Sequence, residues 1–308
     1  MTRSSLRCLA TVAVVLGLLG AACGRANGGG GTGGGPSGVA SPPTPGISHP
    51  TGPDDLVLRV EQIGGFVTPT VTMVRLPSLS LFGDGRLITQ GAQTEIYPQP
   101  ALSPLLVQQL TEAGVQRILE LARGAGLLGE DASYTQGGIA DAPTTVFTVN
   151  ADGGHHVVQA SALGIDHGPG PGGVTGDQVA AVRALERFQG QLGDPAAVLP
   201  AGSVGDSRPY EPRALRLFVT PGDPSSGSGP EEPAVAWPLA TPLAGFGTAV
   251  PDAGGLRAVR CGTTDGADLD QLMPSVRRAT EISPWTSEGQ TFGIAFRPLL
   301  PDESGCPS

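Results

Sequence analysis

Leu79-Ser80-Leu81-Phe82-Gly83-Asp84-Gly85-Arg86-Leu87-Ile88-Thr89 is the stretch that decides the class of fold. Two apolar runs flank an Asp-Gly pair, and the glycine supplies the backbone freedom that a tight reversal requires. An antiparallel hairpin is therefore expected over residues 79–89. On its N-terminal side, residues 56–63 have strand composition, with Leu58 and Val60 alternating, and end at Gly64-Gly65. Residues 71–76 form a second strand candidate. On its C-terminal side a Pro-rich connection leads to Thr111, placed to cap a helix with Val115, Ile118, Leu119 and Ala122 on one face. Gly124 and Gly126 supply its stop signal.

The same order of elements follows a second time. Residues 144–149 and 155–159 read as strands around Asp152-Gly153-Gly154. Thr175 then precedes a helical pattern marked by Val179, Val182, Leu185, Phe188 and Leu192. A shift of 64 residues superposes the two helical segments, pairing Thr111 with Thr175, Val115 with Val179 and Leu121 with Leu185. A duplicated ββα unit is the expectation this raises.

Further on, residues 214–220, 234–239, 256–261 and 291–299 are strand candidates. Residues 268–280 form a helix carrying Leu269, Leu272 and Val276, with Pro274 required near its first turn or at a kink. Short strands bounded by Gly and joined by hairpin-length turns predict an α+β fold: antiparallel sheets with two or three amphipathic helices. The domain boundaries expected are a signal segment over 1–22, a lipidated cysteine and tether over 23–53, and α+β modules over 54–194 and 195–308.

Composition limits the chemistry. The 18 basic residues are all Arg, so a P-loop lysine, a pyridoxal Schiff base and a Ser-Lys dyad are excluded. Aromatic residues are only 4% and no basic run exists, which argues against nucleic acid as a partner. Gly (48) and Pro (30) make up about a quarter of the 308 residues, a bias concentrated in a tether and in turns.

The N-terminus carries an address. Arg3 and Arg7 precede an apolar stretch over 9–19 that is too short for a permanent span and reads as a cleavable signal. Leu18-Leu19-Gly20-Ala21-Ala22-Cys23 resembles a bacterial lipobox, with Gly20 where Leu is usual; the resemblance implies lipidation of Cys23 and cleavage before it. The alternative is an ordinary signal cut near Ala22, leaving a free thiol. Residues 24–53 are rich in Gly, Ser, Thr and Pro and read as a spacer with a reach of about 30 Å. Loss of Arg3 and Arg7 leaves 16 Arg against 28 acidic residues, a net charge of −12, so a lipid and not electrostatic attraction would hold the protein to a membrane. With Cys8 removed and Cys23 lipidated, Cys261 and Cys306 remain. In an oxidising compartment they are expected to pair, closing a loop of about 45 residues worth on the order of 4 kcal/mol. No C-x-x-C spacing or neighbouring His favours a metal or redox pair instead.

Other constellations are weak. Gly168-Pro169-Gly170-Pro171-Gly172-Gly173 matches G-x-G-x-x-G formally, but its prolines remove the donors a pyrophosphate needs. His155 and His156 are strand neighbours that point to opposite faces, unsuited to one metal ion. Asp166-His167 lacks a G-x-S-x-G serine. Glu231-Glu232 between Pro230 and Pro233 reads as a solvated loop tip. No cofactor, metal or catalytic residue is assigned.

The segment Arg297-Pro298-Leu299-Leu300-Pro301-Asp302-Glu303, followed by Gly305-Cys306 and preceded by Trp285, is the most distinctive in the chain. Together with the 79–89 hairpin and the signal and linker, it resembles uncharacterised lipoproteins of high-GC actinobacteria. That resemblance implies a location and adds no activity. Trp285 is expected to pack near the disulfide. The functional expectation is a lipid-anchored extracytoplasmic envelope protein with a binding or structural role toward an unidentified envelope protein, and no enzymatic activity. One alternative is an envelope hydrolase with a site drawn from dispersed acids or from His155, Asp166 and His167. The other is a solute- or ion-binding lipoprotein serving a transporter.

Overall fold

Residues 79–89 form the hairpin that their Asp-Gly pair predicts, and it lies inside the larger of two sheets. The computed structural model of the protein describes residues 46–135, 139, 141–165, 176–225, 230–251 and 253–306. The first half runs β1 (Leu56–Gly64), α1 (Pro69–Val74), β2 (Leu79–Phe82), β3 (Arg86–Gln90), β4 (Leu105–Gln109), α2 (Glu112–Gly124), β5 (Ala132–Tyr134), β6 (Pro143–Ala151), β7 (Gly154–Ser161) and α3 (Gly176–Leu192). The second half runs α4 (Pro195–Val198), β8 (Arg208–Pro209), β9 (Ala214–Pro221), β10 (Val235–Ala236), β11 (Thr248–Ala249), β12 (Arg260–Asp265), α5 (Gly266–Val276), β13 (Trp285–Ser287) and β14 (Gln290–Pro298).

The first sheet has the order β5-β7-β6-β1-β2-β3-β4-β8, and the second β10-β13-β14-β9-β12-β11. Every pairing is antiparallel except β5 with β7 and β10 with β13. The class is mixed α+β, as the short strands and close turns predict.

Turn chemistry fixes the registers. In the β2–β3 turn Gly85 has φ +83°, and a Cβ there would lie 2.5 Å from the Leu110 carbonyl oxygen, so only glycine fits. Asp84 accepts the Arg86 N–H and pairs with its guanidinium at 2.6 Å. The β6–β7 turn places Asp152 and Gly153 both at positive φ, the signature of a two-residue hairpin loop.

Both faces of the first sheet are covered, which is why β2 is buried at all four positions and does not alternate. On one face α2 and α3 set Val115, Ile118, Leu119, Leu185 and Phe188 against Leu58, Leu81 and Phe147. On the other, Phe82, Ile88, Leu105 and Val107 meet Leu76 and Leu300. The second sheet packs Leu217, Phe292, Ile294 and Phe296 against α5, and Phe218 and Cys261 against Met73 and Val74 of α1. Segment 73–76 and the C-terminal tail therefore contact both sheets.

Several expectations are corrected. Of residues 71–76, read as strand, 71–74 belong to helix α1: Thr68 caps it by accepting the Val71 N–H and Pro69 occupies its first turn, a local signal that outweighs β-branched composition. The connection after β3 contains β4. The strand expected over 256–261 starts only at Arg260, and the one over 234–239 shrinks to Val235–Ala236. Pro274 lies in the last turn of α5, where the carbonyl it leaves free belongs to the exposed Asp270. The tether ends earlier than residue 53. Ile47 is buried, exchanging hydrogen bonds with the Gln116 amide (2.7 and 2.8 Å), and the Ser48 N–H is held by Asp152.

The described residues from 46 onward belong to one compact unit, with no division at residue 195. Leu199 joins the first core and β8 pairs with β4, so the change of sheet falls between Pro209 and Ala214. The two hairpins of the supposed repeat lie in one sheet and its two helices pack into one core against it, but β4 intervenes only in the first copy.

Candidate functional site

The closing segment is a clamp. Arg297, on β14, forms two parallel bonds with Glu303 (2.6 and 2.7 Å), the side chains being 7% and 16% exposed. The same carboxylate accepts the Leu300 N–H at 2.9 Å, and the Arg297 Nε–H donates to the Arg75 carbonyl after α1. Asp302 pairs with Arg59 of β1 at 2.8 Å, while the Tyr210 hydroxyl donates to the Leu299 carbonyl. Burial alone would raise the Glu303 pKa. The Arg297 bonds and charge, the Leu300 N–H and the Arg59 charge outweigh it and hold the carboxyl below its usual value. Burial pushes the Tyr210 phenol up to about 12.

Cys261 and Cys306 form the expected disulfide, which fastens the end of the tail to β12. Arg216 secures the same end through the Gly305 carbonyl at 2.6 Å. The polar groups named in this segment are all engaged with the protein itself, and the segment holds the two sheets together. Trp285, expected beside the disulfide, packs instead on the opposite face of the second sheet, edge-on to Trp237 and Phe296 at centroid distances of 5.9 and 5.4 Å.

A cleft of about 700 Å³ lies on the face of the second sheet that is turned away from α5. Its floor is Phe218, Gly293, Ala295 and Thr220 from β9 and β14. One wall is α1, through Val71, Met73 and Val74. The other wall is the 97–104 connection of the first sheet, which crosses to the end of α5. Reciprocal bonds fix that crossing: the Ala101 N–H donates to the Ala279 carbonyl, the Glu281 N–H to the Gln99 carbonyl, and the Gln99 N–H to the Glu281 carboxylate. The Gln99 amide donates to the Thr94 and Ile96 carbonyls and so shapes the 94–99 loop.

Among the lining residues only Arg75 and Glu281 carry charge; amides of Gln90, Gln93 and Gln99 supply further polarity. Hydroxyls of Thr68, Thr70, Tyr97, Ser103 and Thr220 join them, so the lining mixes apolar and polar side chains and fits a small amphiphile, with no nucleophile–base pair among its described residues.

The sequence-predicted candidates lie elsewhere. His155 contacts the Asn150 side chain and His156 the Gly129 carbonyl, each at 2.7 Å, so both are engaged by the β6–β7 hairpin and its neighbours. Glu231 and Glu232 are in the loop before β10. Cys23, Asp166, His167 and the 168–173 glycines lie outside the described residues. No group of three or more His, Cys, Asp or Glu suited to a metal ion occurs among the described residues, and none of their helices is long and apolar enough to cross a membrane. The cleft itself escaped the sequence reading. Its only local signal is a pair of apolar dipeptides outside any periodic pattern, Phe66-Val67 and Ile96-Tyr97. Comparison with protein-family models, with curated proteins and with solved structures found no match to this chain.

Proposed function

We propose that this chain is a lipid-anchored extracytoplasmic protein, held through Cys23, whose head acts by binding an apolar or amphiphilic ligand in the inter-sheet cleft and not by catalysis. The observation that carries the binding reading is the cleft: about 700 Å³, floored by β9 and β14 and walled by two segments of the first sheet's half of the chain. Its volume lies in the range of small-molecule sites. The clamp adds support, because it fixes the sheets against each other and so keeps the cleft open in the absence of an occupant. The lipobox resemblance and the acidic balance of the chain support anchoring by lipid.

The test of binding is a titration of the fluorescent fatty acid cis-parinaric acid into the purified protein. Saturable enhancement is expected, lost on filling the floor with Ala295→Trp or the opposite wall with Ala101→Trp. An equal response from both variants and the parent, with thermal unfolding unchanged, would refute the cleft as the site. For the anchor, Cys23→Ala is expected to move the protein from the membrane to the soluble fraction; retention would refute lipidation at that residue.

A further inference from the structure

The described residues include eight large apolar side chains that are exposed, and six of them fall in two short segments: Ile63, Phe66, Val67 and Val71 in one, Ile96 and Tyr97 in the other. Val71 and Tyr97 both line the cleft; Phe66 and Val67 immediately precede the lining residue Thr68, and Ile96 adjoins Tyr97. Two of these side chains thus line one cavity, and three more stand within two residues of its lining. Phe66 is 88% exposed and Tyr97 65%, exposures that core-forming side chains do not show. The backbone beneath them is tied down: the Phe66 N–H donates to the Asp141 carbonyl, Arg75 donates to the Gln62 and Gly64 carbonyls, and Gln99 holds the 94–99 loop. Apolar side chains held outward on a fixed frame mark a surface that meets an apolar partner.

We propose that this rim is a membrane-contact collar, seating on the zwitterionic surface of the bilayer that anchors the chain, so that the cleft opens on the lipid leaflet and takes its amphiphile from it. The proposal rests on the anchored-binding reading above. Two observations select a lipid surface over a second protein. Only 22 residues separate Cys23 from Gly46, and a chain of that length spans at most about 75 Å, so a lipid at Cys23 would confine the head to the neighbourhood of the bilayer. The charges on and beside the rim include Glu61, Glu95, Asp141, Asp223 and Glu281 against Arg75 and Arg257, an acidic balance that disfavours anionic headgroups and leaves apolar insertion as the attraction. Phe and Tyr at such a rim suit the boundary between headgroups and acyl chains.

The experiment places the anchored protein, purified with its lipid, in phosphatidylcholine vesicles and reads the depth of position 66. In F66W, the added tryptophan emission is expected to shift to the blue and to be largely lost when the acyl chains carry bromine; Trp237 and Trp285 of the parent give the baseline. Adding Ile96→Ser and Tyr97→Ser is expected to restore water-exposed, unquenched emission. Unquenched emission from F66W while the protein remains on the vesicles would overturn the collar. A blue-shifted F66W in vesicle-free detergent solution, together with a doubled mass by light scattering, would overturn it in favour of self-association. Failure to associate with vesicles at all would indict the anchor, and failure of parinaric acid binding would indict the cleft; each reading fails by its own signal.

Discussion

The C-terminal clamp and the cleft rim are both built where the two sheets meet, and they are opposites in chemistry. In the clamp, Arg297, Glu303, Arg59 and Asp302 find their partners within the protein, and Leu300 is buried. At the rim, Phe66, Val71, Ile96 and Tyr97 stand exposed on hydrogen-bonded backbone. A saturated polar network holds a geometry, whereas exposed apolar surface that folding leaves unburied is available for something else. The most distinctive motif of the sequence is architectural, whereas the surface proposed to meet a ligand is written in residues that stand out only by their exposure.

The sharpest way to break that contrast is to disarm the clamp. Arg297→Ala leaves the largely buried Glu303 carboxylate without its ion-pair partner, held only by the Leu300 N–H, and is expected to lower stability by about 3 kcal/mol in urea denaturation. A loss under 1 kcal/mol would show that the tail does not hold the sheets. Next in size, replacing Cys261 and Cys306 together by Ala releases a loop with a sequence separation of 45 and should cost about 2–4 kcal/mol by the same measurement.

Acid separates the two regions more finely. The folded pKa of Glu303 is depressed, so its contribution is present above the unfolded value near 4.5 and is lost as pH falls through the folded value. Stability measured from pH 7 down to 3 should therefore fall below about pH 4.5, and Glu303→Gln should flatten part of that slope. An unchanged slope would remove Glu303 as its source. At the rim, finally, Phe66→Ser should change stability by no more than about 0.5 kcal/mol while abolishing lipid contact at that position. A destabilisation comparable to that of Arg297→Ala would assign the rim to structure and erase the comparison.

Local features were the legible ones. Helix α2 was readable from Thr111 onward because its buried residues follow the 3.6-residue period. The hairpins were readable from Asp-Gly pairs, and the disulfide from counting the cysteines left by a signal-and-lipobox reading of the N-terminus. Helix α1 was not, since Val71, Thr72 and Val74 have strand composition and only the Thr68-Pro69 start signal reveals a helix. Strand β4 was hidden by Pro104 before it and glutamines at its end. The cleft was illegible for a stronger reason: Tyr97, Phe218 and Ala295 meet only through the fold, and no spacing rule connects them. The clamp shares that origin, because Arg59 and Asp302 are 243 residues apart. Its sequence motif was conspicuous, but its purpose became readable only with its partners in place.

The central claim is that the cleft, and not the clamp, engages a ligand. The most direct measurement is native mass spectrometry of the protein purified gently from the cells that produce it, compared with Ala295→Trp. A non-covalent adduct of amphiphile mass is expected on the parent, removed by collisional activation and missing from the variant. An adduct equally present on both proteins, or on neither, would contradict it.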